Sequence, residues 1–292
     1  MPTTKAGVAQ VGTDRRPRED EIDAHGVTHP GKVRRDNQDH YLLCSLRRQV
    51  VVRSSSIPQA DAVLGTESER LASMAIVADG VGGAAKGETA SRVALTGIAR
   101  YVSRSLRCYY RSDEGEDFSE PLRQGARECH EDLRRRAEEN SDHRGMATTL
   151  TLFLSVWPRA YLLQVGDSRC YLLRDGELSQ ITRDQTMAQE MVDLGIMKPE
   201  QVAGTRLEHT LTSSIGGSHT QPTVTRFDMN WGHVQLLCSD GLTRHVPDDR
   251  IREVLRSMTS ARQACETLLR DALVGGGSDN ITVVVARVVR RQ

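Results

Sequence analysis

Four aspartates in this chain stand where an apolar run begins or ends. Asp79 closes MAIVA (74–78) and is followed by Gly80, and Asp240 closes LLCS (236–239) and is followed by Gly241. Asp279 precedes Asn280 and the run ITVVV (281–285), and Asp39 ends DNQD (36–39), just before YLLC (41–44). A carboxylate at the mouth of a buried strand needs water, a basic partner, a nucleotide-bearing loop or a metal ion to answer its charge. Taken singly, Asp-Gly and Asp-Asn are turn formers, and each position reads as a turn. Taken together, four converging carboxylates would raise one another's pKa values or push the strand ends apart unless a cation lay between them. An all-oxygen donor set suits Mg2+ or Mn2+ better than zinc. Gly80, with no side chain, would let its carbonyl come close to such an ion. Sequence alone does not bring the four side chains to one place.

Other chemistries fit the residues less well. Gly80-Val81-Gly82-Gly83-Ala84-Ala85 matches the G-x-G-x-x-A of a dinucleotide turn, between a strand and a helix. The helix after it is followed by another helix rather than a second strand ending in an acid, and Asp79 would face a pyrophosphate. A phosphate-binding Walker loop fails because Gly87, not Ser or Thr, follows Lys86. The nine histidines show no H-E-x-x-H spacing, and the six cysteines no C-x-x-C pair. Several cysteines lie inside apolar runs, as buried reduced thiols would.

The elements that must position the aspartates are strands in adjacent pairs, separated by pairs of helices. TTLTLFLSV (148–156) is followed after three residues by AYLLQVGD, and CYLLRDGELSQIT (170–182) alternates around Asp175-Gly176, a strong hairpin signal. VQLLCSDG (234–241) and ITVVVARVV (281–289) add two more strands. Strands joined by tight turns are antiparallel. Helical spacing of apolar residues predicts helices over 87–107 (Ala94, Leu95, Ile98, Val102, Leu106) and 121–140 (Leu122, Ala126, Cys129, Leu133, Ala137). Further helices are predicted over 186–197, 249–258 and 260–273, the last stopped by Gly275-Gly276-Gly277. The expected fold class is α+β, sheets covered by helices.

The 292 residues carry 39 Lys plus Arg and 39 Asp plus Glu, so a basic nucleic-acid-binding surface is not expected. The N-terminus lacks the apolar stretch of a signal peptide, and no run approaches a membrane span. The expectation is a cytoplasmic globular protein: a flexible tail over 1–20, one domain over 21–290, and a polar insertion over 47–70.

The ordered succession GKVRRDNQD (31–39), VADGVGG (77–83), GMATTL (145–150), VGDSRCYLLRDGELSQITRDQT (165–186), LLCSDGLT (236–243) and GGGSDNITVVV (275–285) resembles the metal-dependent serine/threonine phosphatases of the protein phosphatase 2C type, in their bacterial stand-alone form. The resemblance implies an α-β-β-α sandwich, two antiparallel sheets face to face with helices outside and a binuclear Mn2+/Mg2+ centre at one end. Carried over, Asp79 would bridge both ions and the Gly80 carbonyl would bind one. Asp240 and Asp279 would complete a shell, and Asp39 would act through water. Arg34 would clamp the phosphate, and Asp142 with Asp240 would hold a third, weaker metal. Phosphorylated proteins would be the substrates, serine/threonine kinases the opposing enzymes, and a monomer the usual state.

Three departures stand out. Gln38 replaces a glutamate, which would weaken a water-mediated metal contact. Val81 stands where eukaryotic members carry a histidine proposed as general acid, with His40 a conceivable substitute, and Ala147 replaces a glycine. The Gly166-Asp167-Ser168-Arg169 motif is expected to form a structural Asp/Arg network, and 184–219 a mobile flap. Two alternatives remain: a catalytically silent phosphoprotein-binding module on the same fold, and a small-molecule phosphomonoesterase.

Overall fold

Alternating and apolar strand sequences pair here into two antiparallel five-stranded sheets, seen in a computed structural model that describes residues 15–48, 69–105, 117–202 and 204–291. The first sheet contains β1 (Ile22–His29), β8 (Arg169–Arg174), β9 (Glu177–Gln180), β11 (Val234–Cys238) and β12 (Ile281–Val288). Its order is β1-β12-β11-β8-β9. The second contains β2 (His40–Arg48), β3 (Glu69–Ala78), β6 (Leu150–Val156), β7 (Arg159–Val165) and β10 (Thr223–Asp228), in the order β10-β7-β6-β3-β2. A short ribbon joins β4 (Gly80–Val81) to β5 (Ala147–Thr148). The 148–156 run is therefore not one strand: it breaks at Thr149, whose N–H turns to the Asp79 carbonyl at 2.9 Å.

The two sheets pack face to face. Because side chains alternate across a strand, Ala75 and Val77 of β3, Phe153 of β6 and Leu162 of β7 meet Leu172, Leu237 and Val284 from the other sheet. The opposite face of the second sheet is covered by α1 (Ala84–Ser105) and α2 (Ser119–Glu139). Ile98 and Val102 of α1 and Leu122, Ala126 and Leu133 of α2 are buried there, the stripe that their spacing predicts. Two short helices, α3 (Met187–Asp193) and α4 (Pro199–Val202), follow β9. After β11 come the single turn α5 (Asp240–Thr243), then α6 (Asp248–Ser257) and α7 (Ala261–Val274), which cover the first sheet. Ser260 caps α7 by accepting from Gln263 N at 3.1 Å, an interaction that stabilises a helix start by about 1 kcal/mol.

This is the α-β-β-α sandwich. The helix over 186–197 is shorter than predicted, ending at Asp193. Most of the proposed tail (1–14) and insertion (49–68) lie outside the described residues, as does Cys108. Residues 15–20, read as tail, pack onto the domain: Pro17 is buried, and Arg15 makes a two-armed bond to buried Glu21. The remaining cysteines are free thiols, and four of the five are buried.

Candidate metal centre

Both sheets deliver aspartates to one end of the sandwich. Asp79 leaves β3 and Asp39 enters β2 from the second sheet. Asp240 follows β11, and Asp279 leads into β12 from the first. Asp79 is fixed through its backbone: Thr149 Oγ1 accepts from its N–H at 3.0 Å, and Thr148 Oγ1 donates to its carbonyl at 2.8 Å. Asp39 is held across the sheets. Its Oδ2 accepts from Ser239 Oγ at 2.6 Å and Thr282 Oγ1 at 2.7 Å, while its Oδ1 is buried without a partner.

The carboxylates act on one another. Burial pushes Asp39 up to about 7, against the lowering effect of the Ser239 and Thr282 hydroxyls, and Asp240 and Asp279 push the same way as burial. Asp79 is raised well above the usual carboxylate range by burial first, then by Asp39, Asp240, Asp167 and Asp279. Asp167 is raised too, by burial and then by Asp240. Such a group of desolvated acids gains most from a cation with oxygen preference.

Two arginines meet part of that charge. Arg34 makes a two-armed bond to Asp279, Nε to Oδ1 and Nη2 to Oδ2, both 2.9 Å. Arg244 donates from Nε to Asp240 Oδ2 at 2.9 Å and also through Nη2, and its Nη1 lies 3.2 Å from Asp279 Oδ2. Among the described residues no three His, Cys, Asp or Glu side chains stand close enough to share one ion. The donor chemistry nonetheless fits a hard divalent cation, because buried Asp39 Oδ1 is unpartnered and the other donors are carboxylates and a carbonyl. Gly80 is required here for close approach: a Cβ on it would lie 2.2 Å from the Gly87 carbonyl oxygen.

The other predicted residues are distributed unevenly. Asp142 sits on an exposed 3-10 turn, Ser141–His143. Gln38 points its carboxamide at the Gly80 and Gly83 carbonyls, within 3.1 and 3.2 Å once its amide is oriented to donate. His40 Nδ1 is bonded to Ser91 Oγ at 2.9 Å, and Ser91 Oγ also reaches the Gln38 carbonyl. The Asp/Arg network expected within the 166–169 motif forms with a different acid. Arg169 grips Asp184 through Nε and Nη2 and also reaches Tyr171 Oη, which donates to Asp248. Asp167 lies with the acidic group instead.

Several site residues escaped the sequence reading. Ser239 and Thr282 look like ordinary strand residues, and Arg244 like a surface charge. Asn280 is 4% exposed and ties the 30–38 loop to β12: its Oδ1 accepts from Gln38 N at 2.9 Å, and its Nδ2 donates to Pro30 O at 3.0 Å and Asp36 O at 2.9 Å. An Asn after a ligand-type Asp was the signal available for it.

Residues 49–275 match the family model described as Protein phosphatase 2C. The chain belongs to the protein phosphatase 2C family. Within 213 aligned residues it is 38% identical to the serine/threonine protein phosphatase PstP of Mycobacterium tuberculosis, a match spanning 73% of this chain and 40% of that protein's length. It is 32% identical over 215 residues to the protein phosphatase PhpP of Streptococcus pneumoniae, covering 73% of this chain and 84% of that one. Among solved structures, that of M. tuberculosis PstP/Ppp superposes with a TM-score of 0.73 at 32% identity, covering 92% of this chain and 99% of the other. A second structure, the catalytic domain of PstP in complex with two manganese ions, gives 0.71 with the same identity and coverage.

Proposed function

We propose that this chain hydrolyses phosphoserine and phosphothreonine esters of proteins at a binuclear Mn2+ or Mg2+ centre. The observation that carries the reading is the meeting of Asp39, Asp79, Asp240 and Asp279 from both sheets, with the buried Asp39 Oδ1 unpartnered. Family membership and the two manganese ions of the PstP catalytic domain support it. Asp79, the Gly80 carbonyl, Asp240 and Asp279 would hold the ions, and Asp39 would act through water. A bound ion pair supplies Lewis acidity toward phosphoryl oxygens and brings the pKa of water toward neutrality.

The protein's own side chains do the rest. Thr148 and Thr149 fix the Asp79 backbone, so its carboxylate is oriented before substrate arrives. Ser239 and Thr282 hold Asp39 by one oxygen and leave the other, buried, without a partner. Ser239 is fully buried and committed to Asp39, so it is not a nucleophile. Arg34 stands at the rim with half its side chain exposed, and its planar fork matches two oxygens of a phosphate. Engaging substrate requires it to exchange its Asp279 bond for the phosphate. Serine/threonine kinases acting on the same proteins would oppose the reaction. Among the described residues no helix is long and apolar enough to cross a membrane.

The test is phosphate release from a phosphothreonine peptide with Mn2+, with chelator, and with Asp240→Asn. Turnover that needs Mn2+ and collapses in the variant supports the reading. Peptide binding without release under any divalent metal would replace it with a silent binding module. Faster turnover of sugar phosphates than of the peptide would make the chain a small-molecule phosphomonoesterase.

A further inference from the structure

The Gly275-Gly276-Gly277 run does more than stop α7. A Cβ on Gly275 would lie 3.0 Å from His245 Cβ, and one on Gly276 would lie 3.1 Å from His245 Cε1. His245 therefore rests on bare backbone, at two positions where a side chain would press on it. Gly276 and Gly277 also take φ of 136° and 55°, values that glycine adopts freely. The chain that turns here continues as Ser278 and then Asp279.

His245 bonds that turn as well as packing on it. Ser278 N–H donates to its Nε2 at 2.9 Å, and Ser278 Oγ lies 2.9 Å from the same nitrogen. An amide N–H can only donate, so Nε2 carries a free lone pair and the serine hydroxyl donates to it too. His245 is itself tied to the turn that begins at Asp240. Its N–H donates to the Leu242 carbonyl at 3.1 Å, and Arg244 N–H donates to the Asp240 carbonyl at 2.9 Å. The imidazole thus links α5, which carries Asp240, to the loop that carries Asp279. A second tie reaches the same loop from the 31–32 turn, where Lys32 N–H donates to the Gly277 carbonyl at 2.7 Å.

We infer that His245 is a positioning residue that sets the spacing of Asp240 and Asp279 for a divalent ion. Its Nε2 is spent on Ser278, so it acts through the residue before Asp279 rather than as a ligand. Arg34 and Arg244 also bond these two aspartates, but to the carboxylate oxygens that a cation would need. The His245 tie is made to backbone and leaves the carboxylates free to turn. Partners one step behind a metal ligand are worth about 10- to 100-fold in metal affinity.

The inference rests on the metal-dependent reading above, and the test separates the two. The full chain, freed of metal by chelator and dialysis, is titrated with MnCl2 by calorimetry as wild type, His245→Met and His245→Gln. Circular dichroism melts verify folding. Gln can place an amide oxygen where Nε2 stands, and Met has similar length without a strong acceptor. His245→Met is expected to bind Mn2+ about tenfold more weakly than wild type, and His245→Gln to recover to within about threefold. A folded His245→Met that binds like wild type, or a Gln variant no better than the Met one, overturns the inference. If His245→Met does not fold, a Gln variant weakened about tenfold overturns it, and one within about threefold of wild type upholds it. A wild type that takes up no Mn2+ overturns the metal-dependent reading itself, and this inference with it.

Discussion

Replacing Asn280 by Ala should loosen the loop that carries Arg34 and Asp39. The carboxamide makes three bonds: it accepts from Gln38 N and donates to the carbonyls of Pro30 and Asp36. Each such bond contributes about 1 kcal/mol net, and a group abandoned in a dry site costs up to about 3. Asp36 is exposed and Pro30 and Gln38 are half-buried, so water can reach most of what is abandoned. The expected loss is then about 2–3 kcal/mol, read by urea denaturation of wild type and variant side by side. Asn280→Asp should be worse than Asn280→Ala. It keeps the acceptor for Gln38 N but sets a carboxylate against two carbonyl oxygens. On phosphopeptide, the KM of Asn280→Ala should rise, because the loop bearing Arg34 is no longer fixed. A loss below about 0.5 kcal/mol, or an Asp variant more stable than the Ala one, would refute the claim that this carboxamide ties the loop to β12.

Other expectations concern different parts of the molecule. A Cβ on Gly241 would lie 1.9 Å from the Asn280 carbonyl oxygen, so Gly241→Ala must shift α5 against β12 and should weaken Mn2+ affinity in calorimetry while leaving a folded protein by circular dichroism. Asp184→Ala leaves the largely buried Arg169 without its acid and should cost about 3 kcal/mol in denaturation. The double variant with Arg169→Ala should lose less than the sum of the two single losses. Glu21 is held below the ordinary carboxylate value of 4.5, first by the Arg15 side chain and then, against desolvation, by backbone N–H groups of Arg18 and Arg291. Its contribution is therefore full above that value and lost as acid titrates the folded carboxylate. Thermal melts of Glu21→Gln should fall less steeply than those of wild type as pH drops below about 4.5.

The strand pairs and helix stripes were legible because burial on one face imposes a period, and ITVVV or the Leu122–Leu133 stripe has no other use for it. β1 was not, since IDAHGVTH mixes polar residues and a glycine, and its burial comes from β12, more than 250 residues away. β10 hides for another reason: TVTRFD lies at the edge of its sheet, where little of it is buried. The four aspartates were readable as types but not as a group, because Asp-Gly and Asp-Asn carry the same local signal at any turn. What binds them together is tertiary. Ser239 and Thr282 reach Asp39 across 200 and 243 residues of chain. Arg244 could not be weighed at all until its direction was known, since one step along the turn would have sent it to solvent.

The strand order of the first sheet has a consequence for the growing chain. β1 pairs with β12, the last strand in sequence, which lies between it and β11. During synthesis the first strand therefore waits, without its sheet neighbour, until nearly all the described residues have left the ribosome. Asp39 and Asp79 emerge long before Asp240, Asp279 and the two hydroxyls that hold Asp39. A nascent chain stalled before residue 281 should thus keep an open edge and an unfinished acidic end, a stage at which chaperone contact matters most. Closing the sheet and completing the centre become the same late event.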